Sequence, residues 1–160
     1  MAVSKIVFSK IKIDDLEELI NNMRPEDYKE VISAKEGKII STAGYLQDIV
    51  MQSDMAYCCK YNKRVLFCSG LLKDDDLDGF GVFWLLTTNE VKKHKLAYAK
   101  AVKTILKKYL TYCFNGIYTH IMQSYFTAIK AAEILGFKKV GEETLDNVEH
   151  FIYILLGDKK

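Results

Sequence analysis

Between Leu86 and Lys95 the chain reads LTTNEVKKHK, placing two hydroxyls, a carboxylate and four basic side chains within ten residues. The turn Thr87–Lys95 follows an apolar run, Val82–Leu86, and leads into a lysine-rich amphipathic stretch. This is the pattern of a strand handing over to a helix. A helix start presents backbone N–H groups that have no intrahelical partner, and these attract anions such as phosphate. Lys92, Lys93, His94 and Lys95 would add positive charge beside them. The same cluster also reads as a solvated basic helix start, although lysines there oppose the helix dipole.

The other reactive residue types fall into less specific patterns. Asp74, Asp75, Asp76 and Asp78 crowd one loop, but the calcium-loop spacing with its closing glutamate is missing, so the loop reads as solvated and no metal site is expected. Cys58, Cys59, Cys68 and Cys113 contain no C-x-x-C pair, and the adjacent Cys58 and Cys59 would face opposite sides of a strand. They read as reduced thiols of a cytosolic protein. His120 and His150 fall in strand-like runs and read as structural, and Trp84 reads as core.

Several elements must position these residues. Ile6–Ile13 suits a strand, and Asp14 or Asp15 can cap a helix with the stripe Leu16, Leu19, Ile20 and Met23. Pro25 opens a second helix, with Tyr28, Val31 and Ile32 on its apolar face and Gly37 as its stop. A third helix spans Ser41–Gln52. Met55–Leu72 forms a hairpin about Asn62-Lys63. Phe80–Thr87 is a buried strand and Lys92–Leu110 a helix with its lysines outside the apolar stripe. Gly116–Met122 is a strand, and Ser124 caps a helix that faces Ala128, Ala131, Ala132 and Leu135 inward and ends at Gly136-Phe137. Lys138–Thr144 and Val148–Leu156 close the chain as a hairpin about Asp146-Asn147.

The 160 residues, 49% hydrophobic and 28% charged, describe one globular domain, 1–160, without repeat or linker. A net charge of only +2 argues against nucleic acid as a partner, even through the lysine face of the central helix. No apolar run approaches membrane-spanning length, and Met1–Lys5 lacks a leader's apolar region. A cytoplasmic protein is expected.

The order strand, helices, hairpin, strand, helix, strand, helix, terminal hairpin resembles the GNAT acetyltransferase superfamily over nearly the whole chain. The best local match is Ala128–Phe137, AIKAAEILGF, which looks like that family's final helix and its Gly-Phe exit. Arg24-Pro25-x-Asp27, Trp84-Leu85-Leu86-x-Thr88 and Leu135-Gly136-Phe137 together look closer still to small GNAT-like proteins of tailed phages. The resemblance implies an α/β (α+β) fold, a mixed central sheet flanked by helices, with N-terminal helices and a C-terminal β-hairpin.

It also implies acetyl-CoA as cofactor and acetyl transfer to a small-molecule or protein amine, with a homodimer as a possible assembly. Leu86, Thr87, Thr88, Lys92, Lys93, His94 and Lys95 would hold the cofactor, its pyrophosphate at the helix start. The family's glycine-rich loop is replaced here by Lys92-Lys93-His94-Lys95-Leu96-Ala97. The tyrosine that protonates the departing thiolate in many members corresponds to Ala132, and a common family asparagine corresponds to Tyr125. Tyr125 is therefore the candidate proton donor, with Glu90 or His94 as the base. These departures leave an alternative: a GNAT-shaped phage protein without catalysis, acting in the virion or on the host, which would place it in host cytoplasm or virion.

Overall fold

The computed structural model describes residues 6–34 and 41–157. The expected helix stop at Gly37 and the leader reading of Met1–Lys5 lie outside them. The chain forms β1 (Ile6–Ser9), α1 (Ile13–Asn22), α2 (Pro25–Ala34), α3 (Thr42–Gln52), β2 (Met55–Tyr61), β3 (Arg64–Lys73) and β4 (Phe80–Thr87). A 3-10 turn, Asn89–Lys92, leads to α4 (Lys95–Tyr112), β5 (Gly116–Met122), α5 (Phe126–Ile134), β6 (Lys138–Leu145) and β7 (Val148–Leu156). The seven strands make one mixed sheet in the order β1-β2-β3-β4-β5-β7-β6, matching the expected fold class. Every neighbouring pair is antiparallel except β4 and β5.

Both tight hairpins use residues that tolerate the left-handed backbone. Asn62 and Lys63 turn β2 into β3 with φ of 50° and 68°, and Asp146 and Asn147 turn β6 into β7 with 49° and 64°. Positive φ at both central residues matches the strands' right-handed twist and fixes the register. Alternation then sends Cys58 to one face and Cys59 to the other. One face, with Cys58, Val65, Cys68 and Leu86, packs against α1 and α3 through Leu16, Leu19 and Leu46. The other, with Cys59, Phe67, Phe83 and Ile117, packs against α4 through Val102, Ile105 and Tyr109. All four cysteines are buried free thiols.

Three boundaries and the buried face of one helix differ from the sequence reading. Ile13 opens α1 rather than closing β1, and Asp15 caps from inside the helix: its Oδ2 accepts from the Lys12 N–H at 2.9 Å. α4 begins at Lys95, because buried Val91 anchors a separate 3-10 turn ahead of it. The residue capping α5 is buried Tyr125, not exposed Ser124. On α2, Tyr28 and Ile32 are 43% and 38% exposed, while Asp27 and Val31 point inward. The loop after β3 is organised by Asp74, whose Oδ1 accepts from the N–H groups of Asp76 and Leu77 and whose Oδ2 accepts from the Tyr118 hydroxyl at 2.6 Å.

Candidate active site

β4 and β5 pair over only three positions, Phe80, Gly81 and Val82 opposite Gly116, Ile117 and Tyr118. Beyond Val82 they diverge. The even residues of β4 turn their backbone groups toward β3: the Phe80 carbonyl accepts from Asp74, and the same ladder continues into the Thr88 N–H bond to Leu66. The odd residues Phe83, Leu85 and Thr87 therefore aim theirs into the gap. Buried backbone groups must be satisfied, so this edge is set up to receive an extended partner.

The α1–α2 corner takes the last of these positions. Arg24 donates its N–H to the Thr87 carbonyl at 3.0 Å. Asp27 Oδ2 accepts from the Thr87 N–H at 2.8 Å and from its hydroxyl at 2.5 Å. Phe83 and Leu85 remain facing the opening, which widens into a cavity of about 660 Å³. Residues of both cores line it: Val31, Tyr45, Ile49 and Trp84 from the side of α2 and α3, and Phe83, Tyr98, Val102 and Tyr125 from the side of α4 and α5. The cavity thus runs through the split in the sheet. Ala128, Ala131 and Ala132 line it from α5, where Ala132 is also buried in the core against the sheet and Ala128 packs beside it.

Charge divides along the same line. Lys95 and Lys103 of α4 line one half, and Asp27 and Glu30 of α2 the other, with the Arg24 guanidinium beside Asp27. Burial pushes the Asp27 carboxyl up, opposed by its bonds to Thr87 and by the Arg24 charge. Burial, then the Asp27 charge, pushes Glu30 up to about 8. Tyr125 is 5% exposed, and burial followed by the charge of Asp27 holds its proton far above the ordinary phenol range. The Arg24 guanidinium lies 5.5 Å from the centre of the Tyr125 ring and donates to the Thr127 hydroxyl at 3.1 Å. Its Nε is buried without a hydrogen-bond partner among the described residues, and its guanidinium carbon lies over an aromatic face that attracts cations.

At the start of α4 a second concavity, about 490 Å³, is lined by Tyr61 and by Lys92, Lys93, His94, Lys95, Leu96 and Ala97. Lys95 lines both spaces and joins them. The first helical N–H to be satisfied is that of Tyr98, by the His94 carbonyl, and His94 supplies no side-chain cap. Its ring packs 4.6 Å from Tyr61 instead.

Of the residues named from sequence, Leu86, Thr87, Lys95 and Tyr125 line the main cavity, and Lys92, Lys93 and His94 the second. Thr88 is fully buried below them, donating to the Val65 carbonyl at 2.7 Å and accepting from the Glu90 N–H. Its contribution is to shape the turn. Glu90 lines neither space: its carboxylate faces Arg64 at 3.6 Å, Lys93 at 3.5 Å and His94 at 3.8 Å. His120 lines the main cavity but is held by Glu143 at 2.9 Å. Arg24, Asp27 and Glu30 were not singled out for chemistry. Their signal was the run Arg24-Pro25-x-Asp27, in which Asp27 stands one helical turn before buried Val31.

No protein-family model and no curated protein sequence matches the chain. Solved structures match it along nearly its whole length. The GNAT-family acetyltransferase from Bacillus anthracis superposes with a TM-score of 0.68 at 10% identity, over 96% of this chain and 96% of that one. The spermidine N-acetyltransferase from Vibrio cholerae, solved with CoA and spermine, gives 0.69 at 12%, over 94% and 95%. The ribosomal-protein-S18-alanine N-acetyltransferase from Escherichia coli gives 0.66 at 11%, over 98% and 97%. The chain therefore has the fold of the GNAT acetyltransferases.

Proposed function

We propose that this chain is an acetyl-CoA-dependent N-acetyltransferase acting on a small-molecule or protein amine. The observation that carries the reading is the cavity through the split sheet, lined by the lysines of α4 on one side and by Asp27 and Glu30 of α2, with Arg24 beside Asp27, on the other. An anionic cofactor and a cationic acceptor would each meet opposite charge, and meet one another at the strand edge. The likeness to acetyltransferases, one of them solved with CoA and spermine, adds support. The alternative of a virion protein without catalysis gains none from these comparisons.

The chain's residues fit acetyl-CoA in a particular way. Lys92, Lys93 and Lys95 and the free N–H groups of α4 would hold the phosphates, with lysine charge in place of the close approach that glycines allow. Phe83 and Leu85 offer backbone hydrogen bonds to an extended arm, and Leu86 and Thr87 bound its path. Bound acetyl-CoA would supply an activated thioester. During transfer the amine nitrogen must lose two protons and the leaving sulfur gain one. Tyr125, which keeps its proton at neutral pH and lines the same cavity, is the candidate to give one to the sulfur. The acids of α2 line the space where the other protons leave, which favours them as base over Glu90 and His94, the residues first considered.

Exposed Val140 and Leu156 on the terminal hairpin support a homodimer through that face. No helix among the described residues is long and apolar enough to cross a membrane, in keeping with a cytoplasmic site of action.

Thermal-shift titration with acetyl-CoA and CoA tests the function. At ~100 times its dissociation constant a ligand adds about 2.7 kcal/mol, which for a domain of this size raises Tm by roughly 5–10 °C. The shift should vanish in a Lys92→Glu/Lys93→Glu/Lys95→Glu variant. No shift in the wild type at millimolar cofactor would sink the reading.

A further inference from the structure

Glu30 lines the cavity with a carboxylate that has no hydrogen-bond or ion-pair partner among the described residues. Among the described residues, the charged and titratable groups around it do not neutralise it. Asp27, on the same helix, adds like charge; on α3, burial first and then the charges of Asp146 and Glu30 push up the Tyr45 hydroxyl. Arg24 is engaged with Asp27 and Thr127. A half-buried carboxylate in such surroundings is costly unless a cation comes to it.

The rest of this half is apolar or aromatic: Val31, Ile49 and Trp84, with the Tyr45 ring. Trp84 is fixed, its indole N–H donating to the Ser53 hydroxyl at 2.9 Å. Asp27 has its Oδ2 taken by Thr87. Asp146 affects Tyr45 from the β6–β7 turn but does not line the cavity, and Glu143 is held by His120. Among the described residues, Glu30 is therefore the one lining carboxylate of the acceptor half with neither oxygen bonded, at the end of an apolar, aromatic wall.

We infer that the acceptor is a primary amine with a single positive charge on an aliphatic or aromatic stem, and that Glu30 is the residue that selects it. The inference rests on the acetyltransferase reading for the reaction, and on the cavity alone for the binding. A second ammonium on the same stem would be stripped of water with no second unbonded carboxylate among the described lining residues to meet it, so diamines and polyamines are disfavoured.

Calorimetric titration with hexylamine and 1,6-diaminohexane at pH 9, without and with CoA, tests this on the wild type, Glu30→Gln and Glu30→Asp. The wild type should bind hexylamine at least tenfold more tightly than the diamine. Glu30→Gln, checked for a normal unfolding transition, should lose at least tenfold for hexylamine, and Glu30→Asp should recover part of it. Equal or tighter binding of the diamine would overturn the inference, as would wild-type affinity in Glu30→Gln. Acetyl-CoA binding without any hexylamine affinity would overturn it and leave the acetyltransferase reading standing. The expected amine pattern in a protein that ignores acetyl-CoA would do the reverse. Tyr45→Glu, which adds a second carboxylate to this half, should move the preference toward the diamine, and an unchanged preference would count against the assignment.

Discussion

Asp27 and Glu30 stand one turn apart on the same face of α2, and their environments separate them. Asp27 receives two hydrogen bonds from Thr87, and Glu30 receives none among the described residues. Replacing Asp27 by Ala leaves the buried Thr87 N–H and hydroxyl unsatisfied, at a cost of about 1–3 kcal/mol for each such group. Asp27→Ala should therefore lower Tm by roughly 3–10 °C, read by calorimetry. Glu30 works in the opposite sense. Its folded value of about 8 lies above the ordinary 4.5, so the native state keeps a proton that the unfolded chain releases between those values. Its stability contribution is full below pH ~4.5 and is lost as pH rises through about 8. Glu30→Gln should match the wild type near pH 4.5 and exceed it by roughly 2–4 kcal/mol near pH 9 in denaturant titrations. A variant more stable and less able to bind amine is the trade expected of a functional group kept in an unfavourable place. These residues escaped the sequence because periodicity assigns buried positions to apolar types. Tyr28 and Ile32 satisfied that rule on α2 and are exposed, while the acids it excluded face in. Tyr125 became a candidate proton donor only by alignment to a familiar helix exit; burial and then the charge of Asp27, about a hundred residues earlier in the chain, hold its proton.

At the scale of elements, local chemistry dominated wherever the sequence was readable. Asn62-Lys63 and Asp146-Asn147 announced both hairpins, since few residue pairs accept positive φ twice. Adjacent Cys58 and Cys59 revealed a strand buried on both faces. The start of α4 was harder, because a 3-10 turn satisfies the same apolar spacing as one more helical turn and Val91 fits either. Lys63, at φ 68°, carries a side chain where glycine is at ease. Lys63→Gly should stabilise the β2–β3 hairpin by about 0.5–1 kcal/mol, visible as an upward shift of Tm with unchanged ligand binding. Gly70 makes a different demand. A Cβ there would lie 2.3 Å from the Trp84 indole nitrogen, so Gly70→Ala must push the ring from its place on β4. Trp84 is the chain's only tryptophan, and its emission reports the change directly. The variant should show shifted emission and weaker amine binding, while the cofactor-dependent rise in Tm persists.

Considered whole, the molecule separates its charges more than its balance of +2 suggests. The lysines gather along α4 and the turn before it, and the open acid lies across the sheet. Cofactor affinity should fall steeply between 50 and 500 mM salt, because the lysines proposed to hold the phosphates are exposed, whereas hexylamine affinity, set inside the cavity, should change less. Calorimetry at the two salt concentrations compares them. The gap between β4 and β5 has a further consequence, which concerns assembly. The strands on its two sides are contiguous in the chain, β1–β4 before α4 and β5–β7 after it, and only three residue pairs join the two blocks of sheet. Each block carries its own hairpin, with register set by its own turn. The molecule is thus built like two half-proteins buttoned together at one short seam, with α4 as the strap. Fragments divided at exposed Phe114, between the strap and the second block, should reassemble when co-expressed, and a ligand lying across the seam would act as the glue that drives them together.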